Sequence, residues 1–292
     1  MKATVTLSEV CRRLGCAAGE LPRACHARYR SFRHGYARCT PAETRAHVLQ
    51  VLKRIHDRPL ARSAAENQRA FEQGWSENYE LCRQQGVSWE SLRPKYVKPY
   101  RVMRYSRRYV VPEDPLLPDH LLALYATINF TRYLGEPQTI CEFGCGTGRF
   151  LYLLSELFPD KSLVGADWTE ASAKILELMA QEGRRIKGVW FDMLRPPTGW
   201  RLPAGSAVIT IGAMEQLGVR FGAFLEFLLA NRPAVVVQHE PLFEFYSPDD
   251  LTDYLGMLYH QRRNYLRGYW PALQRMAAQG RIELVAGRRL YS

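Results

Sequence analysis

Residues 140–148 read Ile-Cys-Glu-Phe-Gly-Cys-Gly-Thr-Gly, so a short apolar run leads into Glu142 and then into three glycines spaced two apart. Gly144, Gly146 and Gly148 let the backbone turn sharply and come close to a ligand. The apolar run at 150–158 predicts a helix after the turn, and the positive end of that helix offers free N–H groups. This arrangement is typical of a loop that binds a nucleotide cofactor.

The glycine spacing indicates which kind of cofactor. A nicotinamide or flavin fingerprint has the form G-x-G-x-x-G and would need a glycine at position 149, where this chain has Arg149. The observed G-x-G-x-G pattern, together with Glu142, resembles motif I of the class I S-adenosylmethionine-dependent methyltransferases. The resemblance implies that S-adenosylmethionine is the cofactor and that it is bound by Glu142, Gly144, Cys145, Gly146 and Gly148.

The next acidic residue at the end of an apolar run is Asp167, which lies 19 residues after Gly148. A carboxylate in this position can accept hydrogen bonds from both ribose hydroxyls. Trp168 can stack on the adenine, because a flat apolar ring gains burial and stacking together. The alternatives are a helix cap for Asp167, a role that Thr169 could also fill, and core packing for Trp168.

The third and fourth predicted strands end in further cofactor candidates. A carboxylate at Asp192 would accept a hydrogen bond from the adenine amine while Met193 covers the ring, which resembles the family pattern. The alternative for Asp192 is a turn ahead of the two prolines at 196–197. Thr210 and Gly212, which follow the fourth strand, complete the expected cofactor contacts.

Methyl transfer is an in-line displacement at a sulfonium, so alignment and exclusion of water do much of the work. A hydroxyl acceptor also needs a base, whereas an amine need only be unprotonated. His239 is the first candidate for that base because it titrates in the right range. Glu215 or Glu240 is expected to orient it or to replace it, and a structural ion pair with an arginine such as Arg263 is the alternative for either glutamate.

More of the chain carries a resemblance. Segments at 71–75, 94–96, 142–148, 167–169, 191–193, 210–218, 239–241 and 263–266 look like those of a bacterial subgroup of small-molecule or sugar methyltransferases. The resemblance covers about residues 70–290. It implies that the proline-rich segment before the first strand and a long helix after the fifth strand cover the acceptor, with Tyr254, Tyr259, Arg263 and Tyr265 as contacts. Core packing of these tyrosines is the alternative.

These residues need a parallel sheet to bring them together. The pattern predicts strands at 139–143, 162–167, 188–191, 206–211, 234–239 and 281–287, and helices at 150–158, 170–182 and about 221–231 between them. Strands alternating with helices predict an α/β fold with a doubly wound, mostly parallel, Rossmann-like sheet, whose ligands bind at the carboxyl ends of the strands. Class I methyltransferases normally add a seventh, antiparallel strand, for which we expect no residues here, so either the chain is truncated or its sheet edge is closed differently.

The part of the chain before residue 135 is expected to be mostly helical, with helices at 42–57, 61–84 and 119–133 and an extended proline-rich segment at 87–118. We therefore divide the chain into a basic helical region with a lid segment, 1–135, and a cofactor-binding catalytic domain, 136–292. A further helix is expected after Pro248, and a short one from Pro271 to Gly280.

The 292 residues carry a net charge of +11, of which residues 1–60 hold +8, from 12 Lys/Arg against 4 Asp/Glu. A basic face attracts an anionic acceptor, a nucleic acid or an acidic partner protein, or is simply solvated. One alternative function is therefore an RNA methyltransferase, since basic and aromatic residues alternate at 28–33. Another is a non-catalytic subunit of the same fold, since an open sheet edge invites a partner protein or a second copy.

Composition excludes other classes. The chain has 47% hydrophobic residues and no apolar run of the roughly 18 residues that span a bilayer, and charges interrupt residues 1–16, so a cytoplasmic protein is expected. The cysteines and histidines of residues 11–47 fit no zinc-binding spacing, so no metal is expected.

Overall fold

The computed structural model describes residues 2–57, 60–61 and 64–290. Its strands are β1 (Lys2–Thr4), β2 (Gly35–Arg38), β3 (Met103–Tyr105), β4 (Arg108–Pro112), β5 (Thr139–Phe143), β6 (Ser162–Asp167), β7 (Ile186–Trp190), β8 (Ala207–Ile211) and β9 (Val235–His239). Its α-helices are α1 (Leu7–Leu14), α2 (Arg23–Arg30), α3 (Pro41–His56), α4 (Ala64–Gln85), α5 (Leu117–Tyr133), α6 (Arg149–Leu157), α7 (Glu170–Gln181), α8 (Gly222–Asn231), α9 (Leu251–Arg263) and α10 (Tyr269–Ala278). None of the helices in these ranges is both long and apolar enough to cross a membrane.

The chain forms two compact units that interleave along the sequence. The first contains Met1–Ala61, Lys98–Ile128 and Leu242–Ser292, and the second contains Arg62–Val97 and Asn129–Pro241. The sequence predicts a single domain boundary near residue 135 instead. In the structure α4 and the segment that follows it belong to the same unit as the glycine loop.

The second unit is built on a five-stranded sheet in the order β7-β6-β5-β8-β9, with every neighbouring pair parallel. The predicted α/β fold class is confirmed, and the bounds of β5 and β6 are those predicted. Strands β5, β6 and β8 are almost wholly buried, because helices cover both faces of a parallel sheet. The strand order reverses between β5 and β8, which is the point of such a sheet where ligands bind.

The first unit contains an antiparallel sheet that the sequence analysis missed, because it expected this region to be helical or extended. The strand order is β1-β2-β4-β3, and β2 pairs with β4 through Ala37 opposite Val111. Strands β3 and β4 form a tight hairpin whose turn residues Ser106 and Arg107 have φ of 51° and 59°. A hairpin turn of this kind usually carries Asn or Gly, so the sequence gives no local signal for it.

The predicted sixth strand at 281–287 is wrong. Residues 281–290 contain no strand, so in the described part of the chain the parallel sheet ends at β9. The tail is held instead by Arg289, which donates to both carboxylate oxygens of the fully buried Asp253 at 2.5 and 2.6 Å and to the Phe245 carbonyl at 3.1 Å. A bidentate pair of this type fixes a segment without any strand pairing.

Candidate functional site

The glycine loop leaves β5 at the carboxyl edge of the parallel sheet. Gly144, Gly146 and Gly148 have φ of +65°, +54° and +69°, a region that favours glycine. A Cβ on Gly144 would lie 2.5 Å from Ala213 Cβ, and one on Gly146 would lie 3.0 Å from the Trp75 ring. The loop thus forms the predicted sharp turn, and close packing against the protein itself already requires part of its glycine content.

Asp167 ties the end of β6 to the glycine loop. Its Oδ2 accepts the Gly146 N–H at 2.9 Å, and its Oδ1 accepts the Thr169 N–H at 3.0 Å and the Thr169 hydroxyl at 2.7 Å. The side chain is 7% exposed, and burial raises its pKa. Hydrogen bonds from Thr169, Gly146 and Ser172 oppose this increase in pKa. A carboxylate has about four acceptor positions, so these bonds occupy most of them, and ribose binding by Asp167 stays a prediction.

Glu142 and Cys145 place further acidic groups in the same buried region. Glu142 is 2% exposed, and its Oε2 has no hydrogen-bond partner among the described residues. Burial raises the pKa of Glu142 well above its usual value, and the nearby Asp167 carboxylate adds to the increase while the Leu151 N–H opposes it. Burial, followed by Asp167 and Glu142, likewise raises the pKa of the Cys145 thiol. A cationic ligand would relieve this accumulation of buried acidic groups.

The adenine candidates lie on neighbouring strand ends. Asp192 Oδ1 accepts the Leu194 N–H at 2.8 Å, which is the turn that the sequence analysis gave as the alternative. Met193 is buried, and its sulfur is 3.7 Å from the position of a Cβ on Gly144. Trp168 is half-buried, and its carbonyl accepts a hydrogen bond from Gln68 Nε2 at 3.3 Å. Met193 therefore adjoins the glycine loop, and the roles of Trp168 and Asp192 in adenine binding stay predictions.

Thr210 and Gly212 follow β8 but bond mainly within the protein. Thr210 is fully buried, and its hydroxyl accepts a hydrogen bond from Gln238 Nε2 at 3.3 Å. Gly212 has φ of +62°, and its N–H donates to the His239 carbonyl at 3.1 Å. These contacts join β8 to β9, and cofactor binding by either residue stays a prediction.

His239 ends β9 and is 8% exposed. Its Nε2 lies 3.1 Å from the side-chain nitrogen of Asn129, and its Nδ1 has no partner among the described residues. An amide nitrogen only donates, so Nε2 accepts and the imidazole proton belongs on Nδ1. Burial lowers the pKa of His239 to about 4. In this arrangement His239 is a neutral hydrogen-bond donor, and its role as base stays a prediction.

Glu240 takes a different position. Its carboxylate accepts the Ala213 N–H at 3.1 Å and the Glu215 N–H at 3.3 Å, which fixes the 3₁₀ turn Met214–Leu217. Burial raises the pKa of Glu240 to about 7, and a hydrogen bond from Thr210 opposes the increase. Through Ala213, this carboxylate is linked to the glycine loop.

The second glutamate candidate is less well placed. Glu215 Oε1 accepts a hydrogen bond from its neighbour Gln216 at 2.8 Å. Its role as orienting group or base stays a prediction.

The predicted acceptor contacts lie in the first unit, on and just after α9. Arg263 donates to the Tyr265 hydroxyl at 3.0 and 2.8 Å and to the Leu60 carbonyl at 3.1 Å. Tyr259 packs edge-to-face on Tyr265, and Tyr254 is 46% exposed. Acceptor binding by these residues stays a prediction.

Sequence reasoning missed the contribution of α4. Glu72 accepts the N–H groups of Glu170 and Ala171 at 2.8 and 3.0 Å, so it caps α7, and the Trp75 ring packs on the glycine loop. Gln68, Glu72 and Trp75 are spaced i, i+4, i+7, which places them on one helical face. That spacing groups the three residues, and segment 71–75 of the resemblance already contains Glu72 and Trp75 without assigning them a role.

A comparison of the sequence with models of known protein families and with curated proteins gives no match. Solved structures that match are S-adenosylmethionine-dependent methyltransferases at low identity. Geranyl diphosphate C-methyltransferase from Streptomyces coelicolor A3(2) matches with a TM-score of 0.41 and 15% identity over 72% of this chain and 78% of that chain. An O-methyltransferase family 2 protein from Planctomyces limnophilus, in complex with apigenin, has a TM-score of 0.38 and 14% identity over 55% and 52% of the two chains. The plantazolicin methyltransferase BpumL, in complex with a monoazolic desmethylPZN analog and SAH, has a TM-score of 0.36 and 14% identity over 53% of this chain and 60% of that chain.

This chain spans about half to three fifths of the length of several matched proteins. Because these TM-scores lie below 0.5 and these identities do not exceed 15%, the matches by themselves assign no activity to this chain.

Proposed function

We propose that the protein transfers a methyl group from S-adenosylmethionine to an oxygen or nitrogen of a small, anionic or sugar-containing acceptor. The observation that carries the proposal is the buried acidic cluster at the switch point of the sheet. There, Asp167 holds the glycine loop, and Glu142 Oε2 is buried without a partner among the described residues. A sulfonium nucleoside supplies both the cation and the hydroxyl donors that such a cluster lacks.

The residues of the second unit divide the task of binding this cofactor. Asp167 offers its remaining acceptor position to the ribose, and Glu142 neutralises positive charge deeper in the site. Met193 and the glycine loop supply an apolar wall and close backbone approach. When bound, the cofactor supplies an electrophilic methyl group, so the protein has to align the acceptor and to keep water out.

We propose Glu240 as the group that removes a proton from a hydroxyl acceptor. Its pKa of about 7 matches the operating pH of a general base, whereas that of His239, about 4, does not. The Nδ1–H of His239 is a buried donor without a partner in the described residues, and this donor can bind an acceptor oxygen. The first choice and the alternative of the sequence analysis are thereby exchanged.

The RNA methyltransferase alternative has less support. It draws on the mixture of aromatic and basic residues at 28–33, but Phe32 is 8% exposed and stacks on His120 at 5.0 Å. Tyr29 stacks on His34 at 3.9 Å, and its hydroxyl donates to the Val5 carbonyl. These rings serve the packing of the first unit, so base stacking would have to come from elsewhere.

Titration calorimetry with S-adenosylhomocysteine tests the proposal. We expect the protein to bind, and we expect Asp167→Ala to weaken binding. No binding by the wild-type protein would reject the enzyme hypothesis in favour of a non-catalytic subunit. RNA binding that weakens steeply as salt rises would favour the RNA alternative. Labelled cofactor incubated with extracts of the source organism, followed by mass analysis, then identifies the compound that gains a methyl group.

A further inference from the structure

Three side chains on one face of α4 each contact a residue of the proposed cofactor site, within the second unit. Gln68 donates to the Trp168 carbonyl, Glu72 caps the first N–H groups of α7, and Trp75 packs on the glycine loop. We call this set the α4 face. Two of the contacts fall on the loops that follow β5 and β6, and the third falls on the first residues of α7.

Trp75 is the residue of the α4 face whose side chain packs directly against the glycine loop. Its ring is 6% exposed, and Cζ2 lies 3.0 Å from the position of a Cβ on Gly146. Phe71 stacks on it with ring centroids 5.6 Å apart and an interplanar angle of 13°, and Tyr96 covers it at 5.9 Å. Neighbouring rings therefore hold the indole in one orientation.

Hydrogen bonds also connect α4 to the glycine loop, through the segment at 91–93 that follows the helix. Asn78 is buried and donates to the carbonyls of Ser91 and Arg93 at 2.8 and 2.9 Å. In turn the Thr147 hydroxyl, within the glycine loop, donates to the Leu92 carbonyl at 2.6 Å. Helix α4, which carries Trp75, is thus connected by hydrogen bonds to the glycine loop. The position of Trp75 therefore does not depend on ring packing alone.

We infer that Trp75 is a cofactor-binding residue that favours the sulfonium of S-adenosylmethionine over the neutral thioether of the product, S-adenosylhomocysteine. An aromatic face attracts a cation through its quadrupole, and the attraction is stronger where water is excluded. The buried carboxyl groups of Glu142 and Asp167 give the same region a preference for positive charge. Because the sulfur loses its charge when the methyl group leaves, this preference promotes exchange of product for fresh cofactor. The inference rests on the proposed function.

The test compares the affinities of the full-length protein for the two ligands by titration calorimetry. In Trp75→Leu the affinity for S-adenosylmethionine should fall about 2- to 30-fold more than that for S-adenosylhomocysteine, which is the range of a cation–π contact. Trp75→Phe keeps an aromatic face and should retain most of the wild-type ratio of affinities. It also keeps the test valid if Trp75→Leu fails to fold.

Trp89→Leu is the matched control. Trp89 is similarly buried, at 8% exposure, and its ring contacts Phe150 and the Arg149 guanidinium. Its replacement should leave the ratio of the two affinities unchanged. If Trp75→Leu weakens both ligands equally, or neither, the ring has only a packing role and the inference is wrong. If the wild-type protein binds neither ligand, the proposed function itself fails, and the two failures are thereby distinguished.

Discussion

Replacement of Asp167 by asparagine tests the central contact of the site. The carboxylate accepts three hydrogen bonds, from the N–H groups of Gly146 and Thr169 and from the Thr169 hydroxyl. The amide has one oxygen, so whichever way it turns, its NH₂ group faces one buried N–H donor. An unsatisfied buried donor costs about 1–3 kcal/mol, and removal of a buried charge offsets part of that cost. We expect the free energy of unfolding to fall by about 1–2 kcal/mol.

The same substitution should weaken cofactor binding. A hydrogen bond to a charged group contributes about 1.5–3 kcal/mol, so loss of the ribose acceptor should lower the affinity for S-adenosylhomocysteine roughly 10- to 150-fold. Calorimetry measures the affinity, and urea denaturation followed by circular dichroism measures the stability.

Asp192→Asn is the control for stability. Within the described part of the chain its Oδ1 accepts the Leu194 N–H, and an amide oxygen can accept the same bond, so we expect a change within about 0.5 kcal/mol. Unchanged stability of Asp167→Asn would refute the bridge between β6 and the loop. Unchanged affinity would refute the assignment of the ribose site.

Three further substitutions have effects that follow from the structure. Gly144→Ala combines a left-handed φ with a 2.5 Å approach to Ala213 Cβ, so the free energy of unfolding should fall by about 2–4 kcal/mol. Gly212→Ala should lower it by only about 1–2 kcal/mol, because its Cβ would meet no atom of the described residues within 4 Å. Folding raises the pKa of Glu240 from 4.5 to about 7, so the folded state binds more protons and the free energy of unfolding falls as pH rises through that range. Glu240→Gln should remove up to about 3 kcal/mol of this pH dependence, measured by urea titrations at a series of pH values. In His260 burial lowers the pKa from 6.5 to about 4, so stability is lost as pH falls from 6.5 towards 4, and His260→Phe should lose less stability in the same titrations.

Contrary results are equally specific. Equal losses in the two glycine variants would show that Ala213 does not restrict the loop. If Glu240→Gln keeps the wild-type pH dependence, the pKa of Glu240 is not raised by folding, and the argument that its pKa matches neutral pH is lost. If His260→Phe loses as much stability in acid as the wild-type protein, another group is responsible.

The parallel half of the fold could be predicted because its signals are local. Strands buried on both faces read as short apolar runs, and β5 and β6 begin and end where the sequence analysis placed them. The glycine loop and the acidic strand ends are likewise local features, and the sheet topology brings them to one edge without further information.

The antiparallel sheet of the first unit could not be predicted for the opposite reason. Its strands have three to five residues, and β2 pairs with β4 across more than 70 residues of sequence, through Ala37 and Val111. The tail at 281–287 contains β-forming residues and reads as a strand. In the structure the ion pair between Arg289 and Asp253 determines its path instead.

The candidate site also combines features with local sequence signals and features that depend on distant residues. Asp167 and Glu142 are site candidates because of their positions at strand ends, but the protonation state of His239 depends on Asn129, which is 110 residues away in sequence. The contacts of the α4 face depend on how a helix packs on loops about 70 to 100 residues later. The proposals for the base and for the residues that cover the cofactor therefore rest on hydrogen bonds between distant segments.

A crystal structure of the full-length protein grown with S-adenosylhomocysteine tests the account most directly. We predict electron density for the ligand at the carboxyl ends of β5 and β6, with a ribose hydroxyl on Asp167 and the Trp75 ring against the bound molecule. Density elsewhere, or a crevice that Ala213 and Trp75 fill with the ligand absent at saturating concentration, would contradict it.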